Sequence, residues 1–170
     1  MDIIDGLRSE FEHETRSTRK LLERVPDQHF DWKPHPKSMS LGRLASHLIE
    51  PLDWVGPTLD QDELVFAPGS YKPWNAKNRK ELLEKFDASV KAAIEKMGGR
   101  SDAHLMQTWA LKSGEKTVFS MPRAAVLRFF ILNHQIHHRA QLGVYLRLKD
   151  VPVPQVYGPT ADEPDMRPQG

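Results

Sequence analysis

The feature that most constrains this chain is a helical pattern over residues 122–149 that carries histidines in its apolar stripe. Leu127, Ile131, His134, His138, Leu142 and Tyr145 recur at steps of three and four, the spacing of one face of an α-helix. At a rise of about 1.5 Å per residue the run is roughly 40 Å long. Pro122 suits its first turn, where a missing N–H costs nothing. Phe130, His137 and Val144 form a second stripe. A helix apolar on two sides is either central in its fold or shared with another subunit. The rest of the chain must therefore supply partners for this helix and an environment for its histidines.

His134 and His138 are one turn apart on the core-facing stripe. Two imidazoles placed that way can both reach one metal ion. His137 is the local competitor, but it points about 60° to the other side, so the stripe selects His138. The chain has no cysteine, so any metal site must use His, Asp, Glu or water, and no internal thiol can act as nucleophile. The third ligand must come from another element. The same residues also read as a set of hydrogen-bonded core histidines.

Three further helices are expected. Residues 2–25 carry Ile4, Leu7, Phe11, Thr18, Leu21 and Val25 at helical spacing, and Pro26 with Asp27 ends the run. Glu14 falls inside that stripe. It is expected at the stripe's edge reaching solvent, and the sharper alternative aims its carboxylate at the metal. Residues 40–59 follow an N-cap at Ser40 and bury Leu41, Leu44, Leu48, Leu52 and Val55, with a kink expected at Pro51. His47 lies beside this stripe. Apart from His13, which sits between Glu12 and Glu14 on a polar face, it is the other histidine in a helical pattern, and it is the best third ligand. Glu50 and Asp53 could orient it, with solvent exposure the expected fate of both. Residues 78–97 begin with Asn78 and Glu81, which resemble a capping box, and end at Gly98-Gly99.

The connections are long. Residues 26–39 hold Trp32, Pro34 and Pro36, with His29 and His35 expected in solvent. Residues 60–76 hold Phe66, Tyr71 and Trp74 among prolines, either a lid or a crossover. Residues 106–119 read as a short β-hairpin turning at Ser113-Gly114, with Trp109 covering the helices. Residues 150–170 hold Pro152, Pro154, Pro159, Pro164 and Pro168 and are expected to be an extended tail, with Val153 to Tyr157 strapped across the helices. The fold class is therefore all-α: a four-helix bundle with long crossover connections in a single domain over 1–170.

Asn133-His134, His137-His138-Arg139-Ala140-Gln141-Leu142 and Tyr145-Leu146-Arg147 resemble the last helix of DinB/YfiT-like proteins. Leu44-Ala45-Ser46-His47-Leu48 is similar to that family's second-helix histidine motif. The likeness covers most of the chain and extends to Val151-Pro152-Val153-Pro154 and Tyr157-Gly158-Pro159. Ala140 departs from it, standing where the family has glycine. The resemblance implies a divalent metal on His47, His134 and His138, with zinc or nickel first and iron, cobalt or manganese as alternatives. It also implies a homodimer and a metal-dependent enzyme.

One activity this implies is transfer of a low-molecular-weight thiol to an electrophilic small molecule. The other is hydrolysis, with Glu14 or Glu50 as the candidate catalytic base. A non-catalytic metal- or small-ligand-binding bundle is the third reading. The net charge of +1 gives no reason to expect nucleic acid or a membrane surface. The lack of cysteine, of a long apolar run and of a signal-peptide pattern gives the expectation of a cytoplasmic protein.

Overall fold

A computed structural model describes residues 2–165. Helix α1 (Ile3–Leu22) buries Ile4, Phe11, Leu21 and Leu22 as its apolar spacing requires. Thr15 and Thr18 are buried too, because each hydroxyl donates back to its own helix, to the Phe11 carbonyl at 2.8 Å and the Glu14 carbonyl at 3.0 Å. The connector after α1 lies directly on the next helix. A Cβ on Gly42 would stand 2.4 Å from the Phe30 ring, and Gly42 N–H donates to the Phe30 carbonyl at 2.9 Å.

The second helical segment is not one kinked helix. It is three pieces: α2 (Leu41–His47), a 3-10 turn (Glu50–Trp54) and α3 (Val55–Asp60). Ser40 caps α2 by accepting from Arg43 N–H at 3.2 Å. Pro51 supplies no N–H and its ring collides with the preceding turn, so the α ladder stops at His47. Helix α4 (Arg79–Met97) starts as expected, with the Asn78 side chain accepting from Glu81 N–H at 2.9 Å. The Glu81 carboxylate reaches back to Lys77 N–H rather than to the cap. A short α5 (Asp102–Leu105) leads into the sheet.

The sheet has three strands rather than two. Strands β2 (Thr108–Ser113) and β3 (Lys116–Pro122) form the expected hairpin, turning through Gly114 at φ +58°. Strand β1 (Glu63–Phe66) joins β2 in parallel, Glu63 opposite Ala110 and Phe66 opposite Ser113. Its residues are only half-buried on one side, so no local pattern announces it. Trp109 is fully buried beneath the hairpin with Leu111 and Val126.

The last helical run begins with α6 (Arg123–Ala125), widens into a π-helix over Val126–Leu132, and becomes regular in α7 (Asn133–Leu148). After it the chain is extended. Pro154 and Gln155 are buried, and Val153 and Val156 pack on the main core, the strap expected of the tail. Pro168 lies outside the described residues. The protein is thus mostly helical with a small sheet. Among the described residues, no helix is long and apolar enough to cross a membrane.

Candidate metal centre

Three imidazoles meet between α2 and α7. His134 and His138 sit on regular helix, after the π segment, so the four-residue spacing brings their rings together, tilted to each other, with centroids 4.6 Å apart. His47 is the last residue of α2. Its ring centroid lies 4.9 Å from that of His134 and 4.6 Å from that of His138. His47 Nε2 and His134 Nε2 are 2.9 Å apart, and one nitrogen from each of the three rings lies within 4.8 Å of the others. All three residues are half-buried.

Two of the rings are oriented from behind. Glu50 Oε2 lies 2.5 Å from His47 Nδ1. A carboxylate only accepts, so Nδ1–H donates to it and the Nε2 lone pair turns toward the other rings. His138 Nδ1–H donates in the same way to Gln141 Oε1 at 2.7 Å. Glu50 is itself held. Arg43 Nη2 donates to both of its oxygens at 2.8 Å, and the Tyr71 hydroxyl donates to it as well. Burial pushes the Glu50 carboxyl up, but the hydrogen bonds from His47, Arg43 and Tyr71 outweigh it and hold the group down to about 2. Tyr71, partly buried beside that carboxylate, is pushed up to about 12.

The rings themselves resist protonation. Burial, and then the charges His138, His47 and His137 would carry, lower His134 to about 4. Burial also lowers His138. Both are neutral imidazoles at pH 7, which is the ligating form. One shared proton can satisfy the His47–His134 contact, but three rings aimed at one point have more lone pairs than protons. An all-imidazole set of three donors fits a late first-row divalent ion with a further position free for water or substrate.

The other sequence candidates fall elsewhere. His137 is exposed on the outer face. Glu14 neither reaches solvent nor faces the three rings. It is 5% exposed and pairs through Oε2 with Arg139 Nη1 at 2.6 Å, and Tyr157 OH donates to the same oxygen at 2.7 Å. Glu50 is not left to solvent either, whereas Asp53 remains exposed, accepting from Ser89 and pairing with Lys85. His104 Nε2 bonds the Leu59 carbonyl at 2.9 Å. Sequence reasoning does not single out Arg43, Gln141 or Tyr71 as site residues. The first two carry a signal, since Arg43 is one turn before His47 and Gln141 is three residues after His138. Tyr71 comes from a long loop and carries none.

A family model described as the DinB family matches residues 5–169. The chain is 26% identical over 161 residues to a Bacillus subtilis protein described as uncharacterized protein YrdA, covering 94% of this chain and 91% of that one. A solved DinB-like protein from Bacillus cereus superposes with a TM-score of 0.70 at 26% identity, covering 90% of this chain and 97% of the other. The DinB-like protein YjoA of Bacillus subtilis superposes with a TM-score of 0.68 over 89% of this chain and 96% of that one, and at 18% identity it bears on the fold alone.

Proposed function

The chain belongs to the DinB family, and on that premise we propose that it is a metal-dependent enzyme that transfers a low-molecular-weight thiol to an electrophilic small molecule. The observation that carries this reading is the convergence of His47, His134 and His138, with Nδ1 of two of them turned away onto Glu50 and Gln141. These three rings would hold one divalent ion, zinc or nickel before iron, cobalt or manganese. Bound there, such an ion stabilises a thiol as thiolate at neutral pH.

The chain's own part is orientation and charge. Glu50 fixes the His47 ring, Arg43 neutralises Glu50, and Gln141 fixes His138. In the transfer the sulfur bonds to the electrophilic carbon, the leaving group departs with its electron pair, and the thiol proton passes to solvent. The absence of cysteine from the chain leaves no internal thiol to compete.

Hydrolysis is the second reading, and the carboxylates speak against it. Glu50 is occupied by Arg43, His47 and Tyr71, and Glu14 is closed in an ion pair with Arg139. Neither is available to take a proton from water. We further propose that α1, the α2–α3 segment, α4 and the last helical run form a four-helix bundle in one domain over 1–170. The protein would act as a cytoplasmic homodimer on a small molecule, not on nucleic acid or a membrane.

The test is metal content of untagged protein beside His47→Ala, followed by a panel of thiols against a chloronitrobenzene. About one divalent ion per chain, lost in the variant, with thiol-dependent conjugation, is the expected result. Metal without conjugation but with ester cleavage selects hydrolysis. Metal with neither selects a non-catalytic binding bundle, and no metal uptake overturns both enzyme readings and leaves only a small-ligand-binding bundle.

A further inference from the structure

The three imidazoles are joined to a row of aromatic rings that the metal reading does not use. Starting at His134, the Phe130 ring lies 5.8 Å away, Trp54 stacks on Phe130 at 5.0 Å, Phe66 lies 5.6 Å from Trp54, and Tyr71 meets Phe66 edge-on at 5.9 Å. The Tyr71 hydroxyl then donates to Glu50, which bonds His47, which bonds His134. The contacts close a loop, one arc aromatic and one arc polar. Both ends of the ring row are therefore fastened to the histidine cluster.

Trp54, Phe66 and Phe130 pack from one side on the small buried cluster of Trp109, Leu111 and Val126. Trp109 is 0% exposed. The row itself is covered only in part: Phe130, Trp54 and Phe66 are half-buried, and Tyr71 is 50% exposed. The loop that carries Tyr71 is held over α2 by two further bonds, Arg43 Nη1 to the Trp74 carbonyl at 3.0 Å and Ala76 N–H to Ser46 Oγ at 3.0 Å. Arg43, Ser46 and Glu50 thus anchor the loop from one side of the segment that carries His47.

We propose that this ring row is the substrate-recognition wall of the histidine site and that it takes a flat aromatic group. The proposal rests on the reading of the histidines as a reaction centre, and it names the substrate class that reading leaves open. Half-buried rings in stacked, tilted and edge-on contact suit a planar π-system, which adds a further offset or edge contact. A saturated ring of the same size gains only from burial. The polar arc of Glu50 and the Tyr71 hydroxyl lies at the far end, where a substituent on the planar group meets hydrogen-bonding partners.

The experiment is equilibrium dialysis of 2-naphthol, and separately of its saturated counterpart decahydro-2-naphthol, against the full-length metal-free protein. The same is done with Trp54→Leu and Phe66→Leu, each checked for native circular dichroism, and with Tyr157→Phe as a control on the far side of α7. The expected result is saturable binding of about one naphthol per chain. Each leucine variant should weaken it roughly three- to tenfold, which is what one aromatic contact contributes. The control should leave it unchanged, and the saturated analogue should bind more weakly and respond little to either variant. If one leucine variant does not fold, the other decides.

Equal binding of the two probes, no saturable binding, or leucine variants that bind as the parent protein does overturns the proposal. Metal uptake, measured on the same samples, separates the two readings. Naphthol bound without metal uptake upholds the wall and overturns the metal centre. Metal uptake without naphthol binding overturns the wall and leaves the metal centre standing.

Discussion

Two polar clusters share the last helix and differ in every physical respect. On one side Arg139 reaches Glu14 and Tyr157. The ion pair is 3% and 7% exposed at its side chains, and the Arg139 guanidinium also donates to the Glu14 carbonyl at 3.0 Å and to Tyr157 OH at 2.5 Å. Opposite charges meet, and donors and acceptors are matched. On the other side His47, His134 and His138 are half-buried groups of one kind that repel each other when protonated. The first cluster is complete without anything added. The second is a set of like groups whose ring nitrogens converge, oriented by Glu50 and Gln141, and that asymmetry separates a group that holds the tail to α1 from a group that could hold a metal ion.

The comparison can be broken most decisively by removing one ring. His138→Ala is expected to abolish stoichiometric metal uptake, read by elemental analysis after dialysis, whereas the exposed His137→Ala retains it. Equal losses would remove the distinction between the two faces. The next largest effect belongs to the other cluster. Arg139→Ala leaves Glu14 buried without its partner and is expected to cost about 3–5 kcal/mol in urea unfolding. Metal stoichiometry should stay as it is, and the paired change Glu14→Leu with Arg139→Met should recover most of the loss. A metal defect in Arg139→Ala would show that the clusters are coupled.

Glu50→Gln sharpens the picture with a smaller effect. Gln keeps an acceptor near His47 Nδ1 but loses the charge, so metal affinity should fall about 10–100-fold with stoichiometry intact at saturation. Unchanged affinity in a competition titration would make Glu50 a bystander. The remaining effect is in pH.

In chelator-treated protein the folded His134 titrates at about 4, below the ordinary 6.5 of imidazole. The unfolded chain therefore binds that proton more readily, so stability is full above about 6.5 and declines as pH falls toward 4. Glu50, held at about 2 against an ordinary 4.5, adds a loss in the same direction only below 4.5. Urea midpoints at pH 7, 5.5 and 4.5 should show the upper step in the parent protein and a flatter curve in His134→Gln. An identical curve in the variant would assign the step elsewhere.

Much of this is legible in the sequence because helical period and metal-ligand spacing are local signals. The stripe through Leu127, Ile131, His134 and His138 foretells both the last helix and two of the three rings, and Ser40 and Asn78 mark helix starts that the structure keeps. The hidden features depend on contacts across the chain. Strand β1 exists because β2 pairs with it. The break after His47 reads as a bend, since Pro51 signals a disturbed ladder without saying where the chain resumes. Glu14 looks solvent-bound in sequence because its partner is 125 residues away. The π segment leaves the sequence stripe readable, so periodicity passes over it.

That widened turn makes chain length itself a quantity the site depends on. A π-helix accommodates an extra residue per turn, and each residue of ordinary helix turns the next side chain by roughly 100° about the axis. Shortening the stretch between Val126 and Leu132 by one residue would leave a sound, even more regular helix and an unchanged composition of the site. It would also turn His134 and His138 away from His47 relative to the sheet that anchors the helix start. The tolerance of this helix to substitution and its tolerance to a gap are therefore different properties, and alignments of related chains are best judged here by their spacing before their identities.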